Sequence, residues 1–141
     1  MTDITDTNKL SIVIAHRSDE PIYEQVKRQF RHAIMTGLMQ EGDPLPSLRH
    51  LAKELQISVV TTNRAYEDLE TEGFIITAAG RGAFVAKISK ESLQDRKMKL
   101  VEEKLLESLD LAESYGISRT DIIKMIDLLY PRYKHGQDIG S

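Results

Sequence analysis

Residues 45–85 read LPSLRHLAKELQISVVTTNRAYEDLETEGFIITAAGRGAFV, and this stretch decides the fold. Ser47 is a natural helix N-cap, because its hydroxyl can accept a bond from an otherwise orphaned backbone N–H. Behind it, Leu48, Leu51, Ala52 and Leu55 fall on one helical face. A tight turn at Gln56 and Ile57 leads to Ser58, a second N-cap, and to a helix reaching about Glu72. The inner face of that helix carries Thr62, Ala65, Tyr66 and Leu69, and Gly73 ends it. Residues 74–77 and 83–86 are strand-like, and Ala78-Ala79-Gly80-Arg81-Gly82 between them forms a glycine-flanked hairpin tip.

Upstream, Ser18-Asp19-Glu20-Pro21 reads as a helix start. Ile22, Val26, Phe30, Ala33 and Ile34 follow at helical spacing, and Gly37 closes a helix of about 21–36. Two prolines stiffen the turn at residues 41–46. Leu10 to Ala15 (LSIVIA) reads as an edge strand, and residues 1–9 as a flexible arm. Helix, helix–turn–helix and hairpin in this order make a winged helix-turn-helix. Downstream of Ser89 the pattern turns helical. Leu93, Met98, Val101, Leu105, Leu109 and Ala112 form a stripe that Leu100, Leu106 and Leu111 widen, and Gly116 breaks it. Ser118-Arg119-Thr120-Asp121 resembles a capping box. A last helix over 119–130 is expected to stop at Pro131. The fold class is therefore α+β, mainly α, in three parts: an arm (1–9), a winged helix-turn-helix (10–88) and a small helical dimerisation segment (89–141).

Composition narrows the function. With 40% hydrophobic and 29% charged residues the chain has the make-up of a globular domain. Cysteine is absent, which excludes disulfides, thiolate chemistry and cysteine-based zinc sites. No apolar run approaches the roughly 18 residues of a membrane span. The N-terminus is polar with no basic segment, so no signal peptide is expected and the location is cytoplasmic. His16, His32, His50 and His135 lack metal-ligand spacing, and no catalytic constellation or phosphate loop is present, so neither an enzyme nor a cofactor is expected. The net charge of −3 argues against a general polyanion binder. The acids bunch after residue 66, however, while bases stand at element starts and at the hairpin tip.

The 45–85 stretch resembles the DNA-binding domain of the GntR family of bacterial transcription regulators. It follows that family's pattern through LPSLRHLA, the Ser58 cap, RAYEDLETEG and GRGAFV. DEPIYEQVKRQFRHAIMTGLMQEGDPLPS is similar to the family's first helix and its lead-in. The short helical C-terminal part is similar to the YtrA-type branch, and that resemblance implies a regulator of transporter operons. Two departures stand out: residues 59 and 60 are both valine, where many relatives carry a polar residue, and residue 62 is threonine rather than valine.

A helix-turn-helix places the start of its second helix in the major groove. The outer face of that helix carries Val59, Val60, Asn63, Arg64 and Glu67. Asn can pair with adenine, Arg with guanine, and valine with the thymine methyl. Ser58 and Thr61 lie near the helix N-terminus, where phosphate is favoured. Ser47 is a cap first and a phosphate contact second. The resemblance makes Arg49 a phosphate- or base-contacting arginine, and Arg81 between Gly80 and Gly82 fits a wing tip reaching the minor groove. The plainer reading of Arg64 is a local pair with Glu67 or Asp68. Leu93, Leu100, Val101, Leu105, Leu109, Ile122, Ile126 and Leu129 are the expected dimer interface, because two helices with wide apolar stripes cannot cover each other fully. The function expected is a sequence-specific DNA-binding regulator. It would be a repressor acting as a homodimer on an inverted-repeat operator of double-stranded DNA, with its effector unidentified. The alternative is a winged-helix protein–protein adaptor, supported by the acidic total charge and the valine pair. The C-terminal part is expected to be too small for a conventional ligand cavity, which needs several hundred cubic ångströms of enclosed space.

Overall fold

The computed structural model describes the backbone of residues 10–140 and the side chains of residues 10–132. The arm expected over 1–9 and the His135 side chain lie outside the described residues. The chain falls into two compact units, dividing between Gln94 and Asp95.

In the first unit, α1 (Ile22–Met35) buries Val26, Phe30, Ala33 and Ile34, the i, i+4, i+7, i+8 stripe of an amphipathic helix. Its start differs from expectation. Pro21 is the N-cap and brings no side-chain bond, while Ser18 Oγ accepts the Glu20 N–H within the preceding turn. The expected edge strand at 10–15 is also not a strand. Its backbone pairs with two glutamine side chains one helical turn apart. Gln29 exchanges both bonds with Val13 (2.9 and 2.7 Å), and Gln25 does the same with Ala15 (2.7 and 2.9 Å). Carboxamides at i and i+4 thus meet backbone groups at i and i+2, and no sheet partner is needed.

α2 (Leu48–Leu55) and α3 (Val59–Thr71) both begin as read. Ser47 Oγ accepts from the His50 N–H and Ser58 Oγ from the Thr61 N–H. Between them Gln56 adopts a left-handed conformation (φ 57°, ψ 47°) that closes α2, its N–H reaching the Ala52 and Lys53 carbonyls. Thr62, fully buried, donates its hydroxyl to the Ser58 carbonyl at 3.1 Å. That bond explains how threonine stands at an inner position where an aliphatic residue is usual.

β1 (Ile75–Ala78) and β2 (Gly82–Val85) pair antiparallel with Ile75 opposite Val85 and Ala78 opposite Gly82. The Arg81 N–H donates to the Ala78 carbonyl, and Gly80 at φ +74° takes the position of that turn which only glycine fills cheaply. The far edge of β2 is occupied by the turn before α2. Gly42 and Leu45 donate to the Val85 and Ala83 carbonyls, and Val85 donates back to Asp43. Pro44, which has no N–H, sits where the ladder needs no donor. The wing is thereby tied to the loop that launches the helix–turn–helix.

The second unit holds most of α4 (Lys90–Ser114) and all of α5 (Arg119–Gly140). Ser118 Oγ accepts the Asp121 N–H, the forward half of the expected capping box. α5 does not stop at Pro131 but runs through it. A proline there removes one bond, to the carbonyl of Asp127, and that residue is exposed, so water can take the place of the missing N–H. Among the described side chains from residue 95 on, Ala112 is buried, whereas Val101, Leu105, Leu106, Leu109 and Leu111 are exposed. An enclosed cavity of ligand size is not expected here, and the space that the second unit carries is an open groove. An apolar groove of about 600 Å³ is lined by Leu105, Leu109, Ala112, Ile117, Ile122 and Ile126 with Glu113 and Arg119.

Candidate nucleic-acid interface

α3 is held from behind and left open in front. Its buried side is fixed by Ala65 and Leu69 and by Tyr66, whose ring meets Phe30 edge-to-face at 5.7 Å and whose hydroxyl donates to the Pro46 carbonyl at 2.7 Å. Burial pushes the Tyr66 phenol well above its ordinary pKa, so it stays a donor across the physiological range. This one side chain joins α1, α3 and the turn before α2.

On the open side, Val60 is 78% exposed and Val59 44%. Ser58 and Arg64 are exposed, and Thr61 and Asn63 are half-buried. The Ser58 and Thr61 hydroxyls lie 2.8 Å apart at the helix N-terminus. Arg49 and Ser47 are exposed at the start of α2, and Gly80, Arg81 and Gly82 are exposed at the hairpin tip. Neither Arg49 nor Arg81 makes an ion pair among the described residues, so both cations face solvent uncompensated.

Two of the four acids that bunch after residue 66, Asp68 and Glu72, are compensated from α1. Lys27 Nζ lies 3.1 Å from Glu72, 3.5 Å from Asp68 and 3.3 Å from Glu24, and Arg31 reaches Glu72 at 3.4 Å. Burial pulls the Lys27 pKa down, but hydrogen bonds to Glu72 and Glu24 and their charges outweigh it, and the net shift is upward. α3 is therefore apolar at its start, with Arg64 as its one cation; Asp68 and Glu72 are neutralised from α1, while Glu67 and Glu70 are exposed. Asp68 is engaged by Lys27 and not by Arg64, whose guanidinium carbon instead sits 3.7 Å from the centroid of the Tyr23 ring.

Sequence reading missed Tyr23, Lys27 and Arg31. The signal was present as two series with the same i+4 step: Tyr23, Lys27 and Arg31 on α1 face Arg64, Asp68 and Glu72 on α3. Among the described residues no group of His, Asp and Glu is arranged to hold a metal, and no helix is long and apolar enough to cross a membrane.

Comparison with known proteins agrees with this geometry. The family model described as bacterial regulatory proteins, gntR family, matches residues 22–85. The HTH-type transcriptional repressor YtrA of Bacillus subtilis is 34% identical over 126 residues, spanning 89% of this chain and 97% of that protein. A GntR family transcriptional regulator from Listeria monocytogenes superposes with a TM-score of 0.68 at 27% identity, over 78% of this chain and 96% of its own. YtrA from Sulfolobus acidocaldarius, a GntR-family transcription factor, does so at 0.55 and 32% identity, over 68% and 97%.

Proposed function

Since this chain belongs to the GntR family of bacterial regulatory proteins, we propose that it is a cytoplasmic transcriptional repressor that binds an inverted-repeat operator as a homodimer. The observation that carries this reading is the division of α3. Its inner face is locked into the core, while Val59, Val60 and Arg64 are exposed and Asn63 half-buried at its N-terminal end.

Residues 10–88 act as the DNA-binding part. The start of α3 enters the major groove, where Asn63 pairs with adenine and the valine methyls pack against thymine methyls. The Ser58 cap, Thr61 and the free N–H groups of α3 meet phosphate, as Ser47 does at α2. Arg49 holds the backbone or a base edge, and Arg81 reaches from the wing toward the minor groove. Because Val59 and Val60 donate no hydrogen bonds, sequence preference rests on Asn63, Arg64 and apolar contact.

Residues 89–141 act as the dimerisation segment. Val101, Leu105, Leu109, Ile126 and Leu129 are exposed within one chain and Leu93, Leu100 and Ile122 half-buried, and a second copy is the natural cover for them. Two-fold symmetry then sets half-sites about one helical turn apart. The resemblance of the short helical C-terminal part to the YtrA-type branch implies a transporter operon as the target.

A gel-shift titration at fixed salt, on a duplex recovered by the wild-type chain from a randomised pool, tests the reading. Arg49→Ala and Asn63→Ala should each weaken binding by about 1–3 kcal/mol with the fold intact. Asn63→Ala should relax preference at one base pair per half-site, whereas Arg81→Ala should lower affinity across sequences and flatten the salt dependence. Unchanged affinity in both Arg49→Ala and Asn63→Ala would favour the adaptor reading instead.

A further inference from the structure

We propose that Tyr23, in the first turn of α1, is a positioning residue for operator binding: its ring is the platform that holds the Arg64 guanidinium at the exposed edge of α3. The inference rests on the reading of α3 as the DNA-facing helix and extends it to a residue outside the helix–turn–helix.

The Arg64 Cζ lies 3.7 Å from the Tyr23 ring centroid, which is van der Waals contact with the ring face. A guanidinium held in this way uses its π surface and not its N–H groups, so its donors stay available to phosphate or a base edge. The nature of the partner matters. Every other contact in the two i+4 series joins a cation to a carboxylate: Lys27 to Asp68 and Glu72, and Arg31 to Glu72. Those pairs cancel charge. Arg64 has a carboxylate within its own helix at Glu67 and another at Asp68, yet it makes an ion pair with neither among the described residues. Lys27 occupies Asp68, and the ring draws the guanidinium toward α1. A neutral platform orders the long side chain while leaving its full charge for a polyanion. A carboxylate at residue 23 would order it equally and discharge it.

Ordering also has a kinetic and entropic sense. A free arginine loses rotamer freedom when it docks on DNA, and one already stacked has lost part of it beforehand. Tyr23 is half-buried and Arg64 exposed, as a support and a presented group should be.

A double-mutant cycle tests the proposal, using the duplex recovered from a randomised pool and an unrelated duplex of equal length. Tyr23→Phe keeps the ring face and should bind within about twofold of wild type, and Tyr23→Leu should weaken operator binding roughly fivefold. In an Arg64→Ala background Tyr23→Leu should cause no further loss, since the ring acts through that side chain. In the free protein, the ring should shift the Arg64 side-chain proton resonances upfield; the shift should persist in Tyr23→Phe and vanish in Tyr23→Leu. Should Tyr23→Leu fail to fold, Tyr23→Met replaces it in the same cycle. Equal losses with and without Arg64 would overturn the proposal, leaving Tyr23 as a helix-packing residue only. So would a Tyr23→Leu variant that binds normally while Arg64→Ala does not, and both results leave the DNA-facing reading of α3 standing. If Arg64→Ala and Tyr23→Leu both bind normally while Asn63→Ala does not, Arg64 and Tyr23 leave the interface. If Asn63→Ala binds normally as well, the reading of α3 itself falls.

Discussion

Leu69 of α3 and Leu128 of α5 are both leucines on helices with an apolar face, yet the first is fully buried and the second is 70% exposed. The contrast runs through the two units. In the first, α1, α3 and β1 enclose Val26, Phe30, Leu69 and Ile75, and even the buried polar side chains of Gln25, Lys27 and Thr62 have partners. In the second, apolar residues cover far more than one face of α4 and α5, and two helices offer each other only one face apiece. A winged helix is a finished domain in one copy. The C-terminal helices carry apolar surface that monomers rarely leave bare, and that surplus is the physical argument for assembly.

Leu69→Ala probes the finished side of this contrast and should have the largest effect. Removing a fully buried leucine leaves a cavity and should cost about 3–5 kcal/mol in urea unfolding. Leu128→Ala, the same substitution at an exposed site, should change the unfolding free energy of the isolated chain by less than about 0.5 kcal/mol. Comparable losses from the two would erase the distinction.

Ile126→Asp probes the unfinished side. Ile126 is exposed within one chain and lines the groove. If a second copy covers it, a carboxylate there is buried without a partner, and the dimer should weaken at least about a hundredfold, or roughly 2.7 kcal/mol. Sedimentation at micromolar concentration measures this directly. A wild-type chain that sediments as a monomer would remove the dimer and with it the symmetric operator.

Lys27→Met should act more weakly, by about 1 kcal/mol, because its acid partners are about one-third exposed. Its signature is the pH dependence. The folded-state pKa of Lys27 is raised above the ordinary 10.5, so the stability it contributes is fully present below that value and lost as pH rises through the folded pKa. The wild type should therefore lose stability in that alkaline window and Lys27→Met should lose less, as paired unfolding curves at neutral and alkaline pH would read.

What the sequence made legible follows the range of the interactions. Ser47 and Ser58 cap helices three residues away, and Gly80 serves a turn that closes over four, so both helices of the helix–turn–helix and the wing could be read from local chemistry. The departures came where the partner is distant or of an unusual kind. LSIVIA has strand composition, but its partners are the carboxamides of Gln25 and Gln29. Arg64 carries the bulk of a groove-reading residue, but its orientation depends on a ring 41 positions earlier, just as the discharge of Asp68 and Glu72 depends on Lys27. Pro131 reads as a stop, yet one missing hydrogen bond at an exposed site does not end a helix. Hydrophobic pattern located the exposed stripe of α4 and α5 without revealing that the helices leave a groove between them.

The smallest expected effect tests whether the two units are energetically separate. Gln56 holds a left-handed conformation that costs a residue with a Cβ about 1 kcal/mol relative to glycine. The conformation is retained because the Gln56 N–H caps α2 and the Ile57 N–H reaches back to the Ala52 carbonyl, which fixes the turn into α3. Gln56→Gly should keep both bonds and relieve the strain. Glycine gains freedom in the unfolded chain, which offsets part of the benefit, so a net gain of about 0.5 kcal/mol is expected in the unfolding of residues 10–94. That gain belongs to the first unit alone. The association constant measured by sedimentation should stay unchanged, and so should the operator's salt dependence, since no charge moves. A shift in self-association on Gln56→Gly would mean that the strain at this turn is felt in α4 and α5, and that the finished and unfinished regions are one cooperative body.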